Sequence, residues 1–347
     1  MTRRPALLAA AATAVLAALA PLATATAPAA EAATPPGQTK PGHDMFTVIG
    51  DLPYGDADLA KLPGWVDDIN AAHPDFTVHL GDIKSGSQRC DTSYFETIRT
   101  QFDRFADPFV YTPGDNEWTD CHRPNNGAYQ PLERLATVRR VFFDHPGTTL
   151  GQDPMKVAAQ TDRGLPENVS FRRSGIDFAA IHVVGSNDDL QPWTGIGNAT
   201  ATPEQVAEER NRMAGAVDAV RQAVASATRR HDRAVVIFQQ ADMFDPTYTP
   251  TPQDISAFRP LVQALVDADR AFDGELYLFN GDSHIYNSDT PLAPGSVWLQ
   301  RYGVAPAPGL TRVTVDGSGN AGKDYLQVTV GRPGAPNVLS WQRLAYR

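Results

Sequence analysis

Four glycine–aspartate pairs recur along this chain, each closing a short apolar run: Ile49-Gly50-Asp51, Leu80-Gly81-Asp82, Pro113-Gly114-Asp115 and Asn280-Gly281-Asp282. One Gly-Asp alone reads as a turn or a helix N-cap. Four at strand ends is a different pattern, because an open α/β sheet collects its functional groups beyond the carboxyl edge and glycine lets backbone approach closely there. Carboxylates gathered at one edge repel and raise one another's pKa unless cations neutralise them. The pattern therefore points to metal-ion chemistry with a shell made mainly of oxygen.

The elements that must position these acids follow from the hydrophobic periodicity. Strands are expected at Met45 to Ile49, Phe76 to Leu80, Phe109 to Thr112, Phe178 to Val184, Ala234 to Phe238 and Leu276 to Asn280. Amphipathic helical stretches lie between them, at Asp58 to Ala72, Ser93 to Phe105, Leu132 to Phe143, Pro203 to Arg230 and Asp254 to Phe272. That alternation is an α/β domain with crossover helices. After Tyr286 only short strands are expected, at Val297 to Arg301, Thr311 to Val315 and Tyr325 to Val330, packed as antiparallel β structure on the same core. No internal repeat of fixed period is visible.

These blocks, in this order, resemble the calcineurin-like metallophosphoesterases, which include purple acid phosphatases. The family's blocks run D-x-H, G-D-x-x-D, G-N-H-E or G-N-H-D, a lone His after a strand, and G-H-x-H. The counterparts here read Asp51-Leu52-Pro53, Gly81-Asp82-Ile83-Lys84-Ser85, Gly114-Asp115-Asn116-Glu117, Gln239-Gln240, and Gly281-Asp282-Ser283-His284. The resemblance implies a four-layer α/β/β/α sandwich of two mixed sheets over 45–347 and a dinuclear metal centre. Asp82 would bridge two ions, and Asp51 and His284 would complete one site. The usual histidine of that site is Pro53, which cannot ligate, and Tyr54 beside it would supply a phenolate. Asp115 stands where the family has a ligating Asn and Asp282 where it has a His. Gln240 or Gln239 takes the place of the lone His; Gln240 is preferred because Asp242 then falls at the usual proline position.

The substitutions carry consequences. Four aspartates against two divalent ions leave the loaded site near neutral, and an oxygen-dominated shell favours Mn²⁺, Mg²⁺ or Ca²⁺ over Zn²⁺, with iron admitted if Tyr54 ligates. Asn116 stands at the family's catalytic histidine; Asn donates a hydrogen bond but supplies no proton at neutral pH. His122, beside Cys121, is the candidate replacement, against the reading of an exposed loop histidine. Arg123 and Lys84 are candidate phosphate contacts. Gly281-Asp282-Ser283 also has the form of a GDS-type esterase nucleophile block, but such enzymes carry it near the start with a downstream His, and no histidine follows His284.

Charge and the chain ends bound the setting. The net charge of −10 over 347 residues argues against a broad nucleic-acid or anionic-lipid surface, which needs Lys and Arg. Arg3 and Arg4, the Ala/Leu run from Ala6 to Ala23 and the A-x-A triplets up to Ala32 have the form of an export signal peptide over 1–32, with the twin-arginine route open. A Pro/Ala/Thr-rich lead-in over 33–44 follows, and no later run is long enough to span a bilayer. In an exported chain the only two cysteines, Cys90 and Cys121, are expected to pair. The expected function is a secreted, metal-dependent hydrolase of small phosphomonoesters or phosphodiesters. The alternative is a catalytically weak relative that binds a cation and a ligand or partner. Substrate identity and oligomeric state stay open.

Overall fold

Continuous apolar strands such as MFTVI and AVVIF need cover on both faces of a sheet, and the computed structural model provides it in four layers. It describes residues 45–317, 319 and 323–347; the expected signal peptide and lead-in lie outside these residues. The first sheet is ordered β12 (Leu339–Ala345), β11 (Asp324–Val330), β1 (Met45–Ile49), β2 (Thr77–His79), β3 (Phe109–Tyr111). The second runs β4 (Ala158–Gln160), β5 (Leu165–Arg173), β6 (Ile176–Ala180), β7 (Ala234–Phe238), β8 (Glu275–Asn280), β10 (Leu310–Thr314), β9 (Asn287–Asp289). Strands β1, β2 and β3 are mutually parallel, as are β6, β7, β8 and β10, with antiparallel strands outside them.

Phenylalanines fill the space between the sheets. Phe46 stacks on Phe76 at 4.9 Å and meets Phe178 and Phe238 edge-on at 5.6 and 5.9 Å. Burying each such side chain contributes about 1.5–3 kcal/mol. Helices α1 (Gly55–Ala72), α2 (Thr92–Phe102) and α3 (Pro131–Phe142) cover the outer face of the first sheet through Trp65, Phe95, Phe102 and Phe142. Helices α4 (Pro203–Arg230), α5 (Arg259–Ala271) and α6 (Val297–Tyr302) cover the second through Val220, Leu265 and Trp298. Helix α4 begins where Pro203 follows a reciprocal Thr202/Gln205 cap, and it ends on His231 at φ 55°.

Two expectations for the C-terminal part are corrected. Val297 to Arg301 forms a helix, not a strand: Ser296 Oγ accepts the Trp298 N–H at 3.2 Å, and Trp298 and Tyr302 bury one turn apart with their rings 6.1 Å apart. A spacing of four is a helical signal hidden in a short apolar run. The tail also does not form one antiparallel unit. β10 joins the second sheet parallel to β8, whereas β11 and β12 join the first beside β1. Strands β4, β5, β9 and β12 had no counterpart among the sequence expectations; β4, β9 and β12 have mostly exposed or half-buried residues, so no apolar run marks them.

Candidate metal centre

The ends of β1 and β8, together with the loops after β2 and β3, bring the four aspartates to one edge. Glycine is not always the residue that makes the turn. Asp51, Asp82 and Asp282 themselves have φ of 54°, 59° and 74°, in the left-handed region that Asp tolerates better than most residues. Glycine serves close approach instead: a Cβ at Gly114 would collide with Asp82 Oδ1, and one at Gly281 with Asp51 Oδ2. The backbone thus closes around the carboxylates in a way only glycine permits.

Two ligand triads result. Asp51, Asp82 and His284 place one donor atom each within 4.8 Å of one another, and so do Asp82, Asp115 and Asp282. Asp82 belongs to both. Asp51 also accepts the Asp282 N–H at 3.1 Å, and His284 Nε2 lies 3.3 Å from Asp51 Oδ1. Ser186 Oγ donates to Asp115 Oδ2 at 3.0 Å. Burial pushes the Asp51, Asp82 and Asp282 carboxyls up, and for Asp82 and Asp282 the negative charge of Asp115 is the next cause. Burial opposes protonation of His284, but its hydrogen bond to Asp51 and that carboxylate's charge outweigh it and raise the imidazole. Three buried carboxylates, with the half-buried Asp282 carboxylate and His284 imidazole, converge in two triads that fit hard divalent cations.

The other candidate residues divide. Tyr54 Oη donates to Asp82 Oδ2 at 3.2 Å, accepts from Asn116 Nδ2 at 3.1 Å and lies 3.3 Å from His284 Nε2. Burial and the Asp82 and Asp51 charges push this phenol well above its usual range. Asn116 N–H donates to Asp82 Oδ1 at 3.2 Å, so Asn116 lies at the centre. Gln240 is fully buried there and Gln239 is not part of the cluster, since its amide donates to Ala241 O. The orientation of Gln240 differs from the expected oxygen ligand. Its Nε2 faces Asp82 and Asp115 at 3.2 and 3.4 Å, while its Oε1 holds the Gly185 N–H at 2.8 Å.

Arg123 and Asn116 crowd the same backbone point: a Cβ at Gly86 would lie 3.1 Å from Arg123 Nη1 and 2.8 Å from Asn116 Oδ1. Arg123 is half-exposed and paired with Asp120 at 2.6 Å. Lys84 differs from the surface reading weighed against it as a phosphate contact. It is fully buried, donates to Ser85 O at 2.9 Å, and burial brings its pKa down to about 8 against the charges of Glu117, Asp120, Asp82 and Asp115. His122 makes no hydrogen bond to the cluster; its Nδ1 accepts from Gly195 N at 3.1 Å, and burial with the Arg123 charge lowers its pKa. A neutral imidazole engaged in that bond is a poor proton donor. Cys90 and Cys121 form the expected disulfide.

Several further residues support the cluster. Glu117 is fully buried, and its Oε1 gathers the N–H groups of Asp82 and Gly114 and the Tyr111 hydroxyl at 3.1, 2.7 and 2.6 Å. The family-like block Gly114 to Glu117 was its only sequence signal. His79 joins the loops after β1 and β2, with Nε2 2.9 Å from Leu52 O and Nδ1 accepting from Gly81 N. Ser186, Asn187, Asp188 and Asp189 all have φ between 53° and 68°, a left-handed turn without glycine. Arg212 from α4 holds it from below, bonding Asp188 Oδ1, Asp188 O and His182 O. Such strain persists only where its surroundings over-determine it.

Comparison with known proteins agrees with the architecture. Residues 45–180 match the family model described as calcineurin-like phosphoesterase. No curated protein matches the chain. Among solved structures it is similar to a dimetal phosphatase from Danio rerio, at 13% identity and a TM-score of 0.50 over 88% of this chain and 99% of that one. It is also similar to GAP50, the anchor in the inner membrane complex of Plasmodium, at 10% identity and a TM-score of 0.44, covering 88% of this chain and 89% of that one. The purple acid phosphatase PPD1 from seeds of yellow lupin, Lupinus luteus, matches at 12% identity and a TM-score of 0.43, over 89% of this chain and 52% of that one. At such identities structural likeness concerns the fold alone. Residues 45–180 thus match the calcineurin-like phosphoesterase family model, and the two mixed sheets with flanking helices are the fold shared with the Danio rerio dimetal phosphatase.

Proposed function

We propose that this protein is an exported, metal-dependent phosphoric ester hydrolase acting on small phosphomonoesters or phosphodiesters at a dinuclear centre. The observation that carries this reading is the sharing of Asp82 by two ligand triads. Asp51, Asp82 and His284 would hold one cation, and Asp82, Asp115 and Asp282 the other. Mn²⁺, Mg²⁺ or Ca²⁺ suits this oxygen-rich set, with iron a further candidate through Tyr54. When bound, such cations supply Lewis acidity at phosphoryl oxygens and lower the pKa of water.

The chain's own residues do the positioning. Tyr54 and Asn116 share a hydrogen bond beside Asp82, so the Asn116 amide can orient a phosphoryl oxygen or leaving group without protonating it. Arg123, half-exposed and paired with Asp120, would be a cationic contact for the phosphate. Export is supported by the disulfide, which persists in oxidising compartments; among the described residues no helix is long and apolar enough to cross a membrane.

Metal analysis of purified protein, with assays of aryl phosphomonoesters and diesters under Mn²⁺, Mg²⁺, Ca²⁺ and iron, tests the reading. Asp82→Asn should lower kcat/KM by more than the roughly 10- to 100-fold that loss of an outer partner costs at metal sites. Unchanged activity in that variant would sink the two-metal mechanism, and stoichiometric zinc would count against the expected metals. A second reading, a cation-dependent binding protein, rests on Asn116 replacing a proton donor; it is favoured if the protein loads metal yet hydrolyses none of these esters.

A further inference from the structure

Large apolar side chains are almost entirely covered in this protein. Among the described residues only Tyr248, Ile285 and Val297 stand out as exposed, at 50%, 55% and 50%. Val297 opens α6 on the outer helical layer. The other two belong to segments tied to the metal centre. Ile285 directly follows His284. Tyr248 lies midway along segment 243–252, which is anchored on site residues at both ends.

At one end Asp242 N–H donates to Asp282 Oδ2 at 3.2 Å, and at the other Asn187 Nδ2 donates to Gln253 O at 3.1 Å. Arg312 stiffens the first anchor by bonding Asp242 Oδ1 and Phe244 O at 2.5 and 2.8 Å. Asn187 belongs to the left-handed turn whose Ser186 hydroxyl bonds Asp115. The segment therefore arches between the Asp282 side and the Asp115 side of the cluster, with Tyr248 at its middle. No hydrogen bond or ring contact engages Tyr248 among the described residues.

The charges around these side chains narrow what fits them. Asp245 and Asp254 belong to the same stretch and form no ion pair among the described residues; they accept only from Thr247 and Thr251. Asp245 and Asp254 flank Tyr248 on the stretch tied to Asp282 at one end and to Asn187 at the other, so both acids border the mouth of the centre. Arg123, half-exposed near Asn116, is already paired with Asp120. A group with further negative charge would meet repulsion here, and an apolar face would find a partner.

We propose that Tyr248 and Ile285 form a leaving-group subsite beside the metal centre, which selects phosphoesters whose esterified group is apolar or aromatic and carries no negative charge. This rests on the phosphoesterase reading of the same centre. Phosphate binds at the cluster, and the hydrocarbon of the esterified group covers the exposed faces of Tyr248 and Ile285. Polyphosphorylated or carboxylated substrates are disfavoured by Asp245 and Asp254.

Binding of non-hydrolysable phosphonates to the metal-loaded protein tests this by calorimetry. Phenylphosphonate should bind about tenfold more tightly than methylphosphonate, as partial burial of a ring requires. A para-carboxylate on the ring should reverse the gain, and Asp245→Asn with Asp254→Asn should restore it. Tyr248→Ser with Ile285→Ser should bring phenylphosphonate down to the methylphosphonate level, whereas Val297→Ser should leave the ratio as it was. Equal binding of the two phosphonates, or a ratio unmoved by the double serine variant, would overturn the subsite. Failure of inorganic phosphate itself to bind would overturn the phosphoesterase reading and the subsite with it.

Discussion

Asn116 donates its side-chain amide to the Tyr54 hydroxyl and its backbone N–H to Asp82, in the block that resembles G-N-H-E with Asn in place of His. A group so placed can hold an oxygen but cannot release a proton to it. Rates should therefore be acceptable for aryl esters, whose leaving groups need little protonation, and poor for alkyl esters. Asn116→His should raise kcat for alkyl phosphates by about 10- to 100-fold while changing aryl phosphates much less, because general acid catalysis matters most for basic leaving groups. Steady-state kinetics on a matched aryl and alkyl pair checks this. An equal effect on both would mean that Asn116 acts by positioning alone.

Two elements brace the centre from below. The turn formed by Ser186 to Asp189 is held by Arg212, fully buried, with Asp188 and Glu208 as its carboxylate partners. Removing one partner of a buried pair leaves a charge uncompensated, so Arg212→Met should cost about 3–5 kcal/mol in urea unfolding. Ser186→Ala removes only the hydroxyl on Asp115. It should lower metal affinity roughly 10- to 100-fold with little effect on stability, as outer partners do at metal sites; metal titration reads this. The second brace is the disulfide, which ties Cys90, after the Asp82 loop, to Cys121 in the short helix Thr119–His122. The bridge spans 31 residues in sequence, so its reduction should cost roughly 3 to 4 kcal/mol by the chain-entropy account. Thermal unfolding with and without reductant measures it. The disulfide was legible in the sequence, but the brace under the turn was not. Glu208 and Arg212 are an ordinary i, i+4 surface pair on paper, and only the packing of α4 on the second sheet buries them.

At the scale of the whole molecule, buried histidines make stability depend on pH. His79 is fully buried, and burial brings its pKa from 6.5 to about 4, against the hydrogen bond to Leu52 O. The folded state thus binds this proton less readily than the unfolded chain. Its contribution to stability is complete above about pH 6.5 and is lost as the pH falls toward 4, by about 1.4 kcal/mol per pH unit. His182, also fully buried, is lowered in the same direction, while its partner Glu167 is held at about 2 despite burial by His182 and Arg139. The raised carboxyls of Asp51, Asp82 and Asp282 act in the opposite sense over this range, so the test is a difference: between pH 6.5 and 4 the pH slope of the unfolding free energy in His79→Gln should differ from that of the parent protein by about 1.4 kcal/mol per pH unit. An unchanged slope would mean that His79 is already protonated in the folded protein.

The amino-acid sequence by itself determined the register of the chemistry: four aspartates at strand ends, the order of the blocks, the paired cysteines and the alternation of β and α elements. These are local signals, since a Gly-Asp after an apolar run and a 3.6- or two-residue period need no partner to be read. Tertiary structure decided the rest. It showed that Asp82 belongs to two triads, that Gln240 and not Gln239 enters the cluster, that Lys84 is buried and that His122 is engaged elsewhere. It also made Val297–Tyr302 a helix and divided the C-terminal strands between two sheets. Distances across the chain, solvent exposure and the direction of an amide depend on which elements pack together, and residues such as Asp51 and His284 meet only because β1 and β8 end at the same edge of the sandwich.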